Sequence, residues 1–271
     1  MNLFEAILLG AVQGLTEFLP VSSSAHLILA RMIFGWDAER LGLAFDVACH
    51  VGTLLALVAY FRRDLLAMVR QLPSIWRRDR TGSARLMQLI AIGTLPVVVI
   101  GLLLAASIEA HMRTPAVAAV TLAAGAVLFL VVERLAARTR EEGSLSTGEA
   151  LAIGVAQAAA LVPGVSRSGA TITVAMFAGL RRDAAARFSF LLGVPAIVAA
   201  AGHAGLGLWR TGLSRDDMTL FLAGMAVSAV VGYAAITFLL RYLSGHSLAI
   251  FAWYRLGLAA AVVLMWMAGL G

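Results

Sequence analysis

Gln13 and Glu17 stand four residues apart and are followed by Pro20, by three serines at Ser22, Ser23 and Ser24, and by His26. Four residues is close to one helical turn, so Gln13 and Glu17 share a face that points towards the serine and histidine cluster beyond the proline. A second cluster, Ser166, Arg167, Ser168, Gly169 and Thr171, follows Pro163 and Gly164 far along the chain. The two offer complementary chemistry. Glu17 and His26 can take or hold a proton, and Ser23 carries a nucleophilic oxygen. Arg167 is a permanent cation whose planar fork suits a phosphate. The hydroxyls of Ser22, Ser24, Ser166, Ser168 and Thr171 can donate to an anion, and Gly164 and Gly169 let backbone amides approach it. A helix beginning near Gly169 would add its positive end. Plainer readings exist for each: Glu17 capping broken backbone, the serines serving as loop and cap residues, His26 as a satisfied helical histidine, and Arg167 in a structural ion pair with Glu17.

The surrounding sequence decides what must hold these groups. Of 271 residues, 61% are hydrophobic and only 13% charged, with a mean hydropathy of +0.91. That leaves too little polar surface to coat a water-soluble particle, so the chain belongs in a bilayer, as one domain over 1–271. Six segments approach the roughly 20 apolar residues a spanning helix needs: 44–61, 86–106, 115–133, 188–209, 218–241 and 249–270. The stretches 3–34 and 150–180 are apolar too, but each is broken at its centre by the Pro, Gly and Ser clusters that carry the reactive groups. The halves are too short to span, and irregular backbone at membrane depth is tolerated only inside protein or around a wet cavity. Both are expected to be re-entrant helical hairpins.

The expected fold is all-α and polytopic. A shift of 144 residues matches Gly10 with Gly154, Gln13 with Gln157, Val21 with Val165, Ser22 with Ser166 and Ser24 with Ser168, while Pro20 and Pro163 miss by one. Each hairpin precedes three spans, so the chain reads as two repeats, about 1–140 and 145–271. Charge gives the orientation. All 21 basic residues are arginine, and Arg62, Arg63, Arg70, Arg77, Arg78, Arg80 and Arg85 crowd one inter-span loop, expected in the cytoplasm. The 107–114 and 210–217 turns then lie outside, with 134–149 and 181–187 inside, and an odd number of spans separates the hairpins. They enter from opposite faces, as in an inverted-topology repeat. The net charge of +6 thus reflects topology, and no nucleic-acid motif accompanies it. Glu5 stands where a cleavable leader would be basic, so the first helix is expected to be retained. Cys49 reads as a small buried apolar residue. His50, Glu109, His111, His203 and His246 read as span-end or isolated groups. Trp36, Trp76, Trp209, Trp253 and Trp266 read as interfacial anchors.

The motifs Gln13-x-x-x-Glu17 with FLPVSSSAH, and PGVSRSGAT in the second half, resemble the signature pair of the undecaprenyl-pyrophosphate phosphatases of the bacitracin-resistance family, with a further match at FDVACHVGTLLA over 45–56. The resemblance implies a phosphatase of the bacterial inner membrane that recycles the carrier lipid of peptidoglycan synthesis and depends on a divalent cation. Glu17, Ser23, His26 and Arg167 would be its central residues. The family motif admits Glu or Gln at position 13, so a role there that requires a carboxylate is in doubt. On this reading Mg²⁺ or Ca²⁺ near Glu17 and Gln13 bridges the diphosphate of undecaprenyl diphosphate, and the site opens to the periplasm. A homodimer is compatible with it. Ser23 deprotonated by His26 or Glu17, His26 itself, and a water activated by Glu17 all qualify as nucleophile. Ser23 is preferred, because it lies three residues from His26. The rival reading is a transporter or flippase of a phosphorylated lipid or small anion, since inverted repeats with broken helices are a transporter architecture. A carrier needs an anion site but no acid or base, which favours the enzyme. A structural scaffold leaves Glu17, His26 and Arg167 without purpose.

Overall fold

In the computed structural model, residues 1–36, 42–74, 82–211 and 215–268 are described. The helices are α1 (Leu3–Phe18), α2 (Ser23–Phe34), α3 (Gly42–Tyr60), α4 (Arg62–Arg70), α5 (Gly82–Met112), α6 (Pro115–Leu135), α7 (Thr147–Ala159), α8 (Arg167–Phe177), α9 (Arg182–Thr211), α10 (Arg215–Leu243) and α11 (Ala249–Met267). Five of them, α5, α6, α9, α10 and α11, are long and apolar enough to cross a membrane. A sixth span is α3, bent by 75° into α4 at Phe61. These are the six expected segments, and the protein is a multi-pass membrane protein. Its helices overrun the apolar windows because the polar turns continue helical, α5 beginning at Gly82 rather than 86 and α9 at Arg182 rather than 188. Part of the arginine-rich loop is helical as well: Arg62, Arg63 and Arg70 lie exposed on α4, whose Met68 is buried. Trp76, Arg77, Arg78 and Arg80 lie outside the described residues, as do 212–214 of the expected external turn and the side chains of His203 and Trp209.

Both broken segments form helical hairpins. The first limb α1 starts at a capping box between Asn2 and Glu5, and α7 starts at one between Ser146 and Glu149. With 16 and 13 residues they reach only about 24 and 20 Å at 1.5 Å per residue, short of the roughly 30 Å hydrocarbon core. Each hairpin then turns at the serine cluster. Ser22 (φ 74°) and Ser166 (φ 69°), 144 residues apart, adopt the same sparsely populated backbone conformation as they cap α2 and α8. Such strain persists only where the surroundings impose it, and it concentrates at functional sites.

The halves interlock. Helix α1 packs along α10 and α7 along α5, so each hairpin leans on the other half's spans, while α6 packs on α11. Glycines allow the close approach: a Cβ on Gly10 would lie 2.6 Å from Gly224 O, and one on Gly154 would collide with Gly93 O. Arg140 closes the base of the second hairpin, donating to Glu149 at 2.7 Å on one limb and to Ala178 O at 2.6 Å at the end of the other. The two limbs are thereby pinned at the surface, and the tips of both hairpins meet inside the bundle.

Candidate active site

At the meeting point of the two hairpins lies a cavity of about 220 Å³. It is lined by Glu17, Ser22, Ser23 and Ser24 from the first hairpin, Gln157, Ser166 and Arg167 from the second, and His50 from α3. Glu17 is its centre, only 6% exposed. Its Oε2 accepts from Ser23 Oγ at 2.8 Å and from Gln13 Nε2 at 3.0 Å. Its Oε1 accepts from Arg167, at 3.1 Å from a terminal guanidinium nitrogen and 3.3 Å from Nε. The Glu17–Arg167 ion pair expected as the plainer reading of Arg167 is therefore present, and it borders the cavity. Arg167 also donates to Ser189 O at 3.3 Å, and it fits because position 193 is glycine: a Cβ there would overlap the guanidinium.

Other sequence candidates lie behind the cavity rather than on it. Ser168 is fully buried and donates to Leu19 O at 3.3 Å, tying the second tip to the first. Thr171 Oγ1 sits 2.7 Å from Arg167 O and 2.5 Å from Ser189 Oγ. Gly169 makes room for Arg255 and Phe129, each within 2.9 Å of where a Cβ would stand. Helix α8 begins at Arg167, two residues before the start expected near Gly169, and the Ser166 hydroxyl caps it by accepting from Gly169 N at 3.2 Å. The Ser166 and Ser168 hydroxyls are 3.3 Å apart, and Ser22 and Ser24 repeat that pairing at 3.2 Å.

His26 turns away from Glu17. Its Nδ1 lies 2.7 Å from Ser22 O, a pure acceptor, so Nδ1 carries the proton and Nε2 is left to meet the Tyr254 hydroxyl at 2.7 Å. Both ring nitrogens are thus engaged, and the ring stacks on Tyr254. The histidine facing the site is His50. By the same logic its Nδ1 donates to Asp46 O at 2.7 Å, which leaves Nε2 open 3.5 Å from Glu17 Oε2. A signal for it existed in the sequence: Asp46 and His50 are polar residues four apart on one face of an otherwise apolar span.

Arg255 is a second residue the sequence reading missed. It is 0% exposed and donates to backbone carbonyls of Leu122, Thr121, Pro20, Gly164 and Val165 at 3.1 to 3.5 Å, with its guanidinium over the Phe129 ring. Pro20 belongs to one hairpin break and Gly164 and Val165 to the other, so one cation clasps both. A second cavity, of about 370 Å³, shares Ser24, His50, Ala160, Leu161 and Ala200 with the first and reaches Glu109 and Arg113 at the turn between α5 and α6. Arg113 pairs there with Asp46 at 3.2 Å, and Asp46 is held by Arg31 at 2.5 Å.

Among the described residues no group of three His, Cys, Asp or Glu could cage a metal ion by itself. The donors at Glu17 still suit a hard cation. The Glu17 carboxylate and, one helical turn before it, the Gln13 Oε1, which is buried without a partner among the described residues, are oxygen donors, and Mg²⁺ and Ca²⁺ take oxygen ligands and share substrate phosphates.

Comparison with known proteins points the same way. The family described as "Bacitracin resistance protein BacA" matches residues 6–261. Proteins named undecaprenyl-diphosphatase are similar along nearly their whole length. One from Rubrobacter xylanophilus is 48% identical over 266 residues, covering 97% of each chain. One from Stutzerimonas stutzeri, named undecaprenyl-diphosphatase 2, is 46% identical over 269 residues, covering 98% of each. One from Pelotomaculum thermopropionicum is 41% identical over 265 residues, covering 98% of this chain and 97% of its own. The chain belongs to the bacitracin resistance protein BacA family.

Proposed function

We infer that this protein is an undecaprenyl-diphosphatase, which hydrolyses the terminal phosphate from the lipid diphosphate to give undecaprenyl phosphate and inorganic phosphate. The observation that carries the reading is the buried triad of a hydroxyl, a carboxylate and a guanidinium: Ser23 Oγ donates to Glu17, and Arg167 closes on the same carboxylate. Phosphoryl transfer needs charge neutralisation and an in-line nucleophile above all, and these groups supply both. An incoming diphosphate, more highly charged than a carboxylate, competes for Arg167 and frees Glu17 as a base. Ser23 Oγ then attacks the terminal phosphorus while its proton passes to Glu17. The Oγ–P bond forms, the bridging P–O bond breaks, and its electron pair leaves with undecaprenyl phosphate, which takes the proton held by Glu17 and so restores the carboxylate. In the second half a water gives its proton to Glu17 and its oxygen to phosphorus, and Ser23 recovers its proton as inorganic phosphate departs. The open Nε2 of His50 is placed to relay a proton at Glu17 Oε2.

A Mg²⁺ or Ca²⁺ ion held by Glu17 and Gln13 Oε1 would neutralise charge on the diphosphate oxygens. The second cavity, which shares five lining residues with the first and reaches Glu109 and Arg113 near the 107–114 turn, supports a site open to the periplasmic face of the bacterial inner membrane, because the arginine-rich 62–85 segment favours the cytoplasm. Brief reaction with lipid diphosphate labelled in its terminal phosphate tests the nucleophile. A phosphoenzyme that persists in His26→Ala and disappears in Ser23→Ala is expected; a fully active Ser23→Ala enzyme overturns it.

A further inference from the structure

Gln157 lies on α7 three residues before its C-cap and lines the same cavity as Glu17. It is 2% exposed, and neither its Oε1 nor its Nε2 has a hydrogen-bond partner among the described residues. A buried carboxamide with both ends unmet is costly, and such groups are rare enough that each calls for a physical reason. Its counterpart under the 144-residue shift shows what is missing. Gln13 donates to the carboxylate one helical turn on, at Glu17, whereas one turn beyond Gln157 stands Leu161, with nothing to accept. The amide is therefore left for whatever fills the cavity. That occupant must accept from an N–H and bring something that donates to an amide oxygen. A hydrated or partly protonated phosphate does both, and a hydrocarbon chain does neither. Arg167 and the hydroxyls of Ser22, Ser23, Ser24 and Ser166, which line the same space beside Glu17, suit an anion there.

Resting on the phosphatase reading, we propose that Gln157 is a substrate-binding residue whose Nε2 donates to a non-bridging oxygen of the diphosphate seated against Arg167. A neutral amide adds this hydrogen bond without adding charge, so it fixes the phosphate's orientation and leaves neutralisation to Arg167. Gln157→Leu, close in size and unable to hydrogen-bond, separates binding from folding. In detergent and without ligand its melting temperature equals or exceeds that of the wild type, because an unmet amide is gone. Its KM for C55 diphosphate rises tenfold or more, as expected for a lost hydrogen bond to a charged group, and the thermal shift given by farnesyl diphosphate with Mg²⁺ shrinks. Gln157→Asn falls between the two. A Gln157→Leu protein that melts several degrees lower with unchanged KM makes the residue structural and overturns the proposal. A wild type that shifts with farnesyl diphosphate yet releases no phosphate overturns the phosphatase reading alone. A wild type that releases phosphate beside a Gln157→Leu variant of unchanged KM and shift overturns the Gln157 contact alone.

Discussion

On the proposed mechanism, the buried Glu17–Arg167 pair serves chemistry rather than stability. Removing one partner of such a pair leaves the other uncompensated and costs about 3–5 kcal/mol, so a loss of activity in a truncation mutant is ambiguous unless folding is also measured. The two histidines give a sharper residue-scale test. His26 is held between Ser22 O and Tyr254, and we propose that it acts only by positioning the strained Ser22 backbone, whereas His50 Nε2 lies 3.5 Å from Glu17 Oε2. His50→Ala is expected to lower kcat about a hundredfold with KM little changed. His26→Ala also lowers kcat, and His26→Gln, which can keep both hydrogen bonds, recovers most of the loss. A His26→Gln enzyme as slow as His26→Ala would return His26 to a direct acid–base role. The sequence makes the chemical types legible, since Glu17, Ser23 and Arg167 do converge. It cannot say which way a ring turns, because that depends on a tyrosine 228 positions away.

At the scale of elements, the hairpins are legible because broken apolar segments have few places to go in a bilayer. Their clasp is not. Arg255 sits in the last span, where its charge reads as an isolated anomaly until the carbonyls of Pro20, Gly164 and Val165 gather round it. Lysine has no planar fork to serve several carbonyls at once. Arg255→Lys is therefore expected to lower the melting temperature and cut kcat at least tenfold, read by thermal denaturation and phosphate release on one preparation. An Arg255→Lys enzyme with wild-type values for both would remove the clasp from the account. Outside the membrane, the Arg140 hydrogen bonds hold the Glu149 carboxyl well below its ordinary range, at about 2. The resulting stabilisation of the α7 base is present above about pH 4.5 and fades as pH falls towards 2.

For the molecule as a whole, we propose two related repeats that insert in opposite senses. The grounds are the matching backbone at Ser22 and Ser166, the paired serine hydroxyls, and the packing of α1 on α10 and α7 on α5. Cys49, the one cysteine in the sequence, is buried, so single-cysteine labelling reads topology without background. Glu109→Cys is expected to react with an impermeant maleimide on intact cells, and Glu141→Cys only after the membrane is opened; the reverse pattern would invert the orientation. The proposed activity requires the Glu17–Arg167 cavity to split a lipid diphosphate. Phosphate release from C55 diphosphate by the detergent-solubilised protein measures that directly. Release by the wild type in the presence of Mg²⁺ or Ca²⁺, lost on chelation and reduced at least a thousandfold in a folded Arg167→Ala protein, is the expected result. Undiminished release by Arg167→Ala, or none from the wild type, would contradict it.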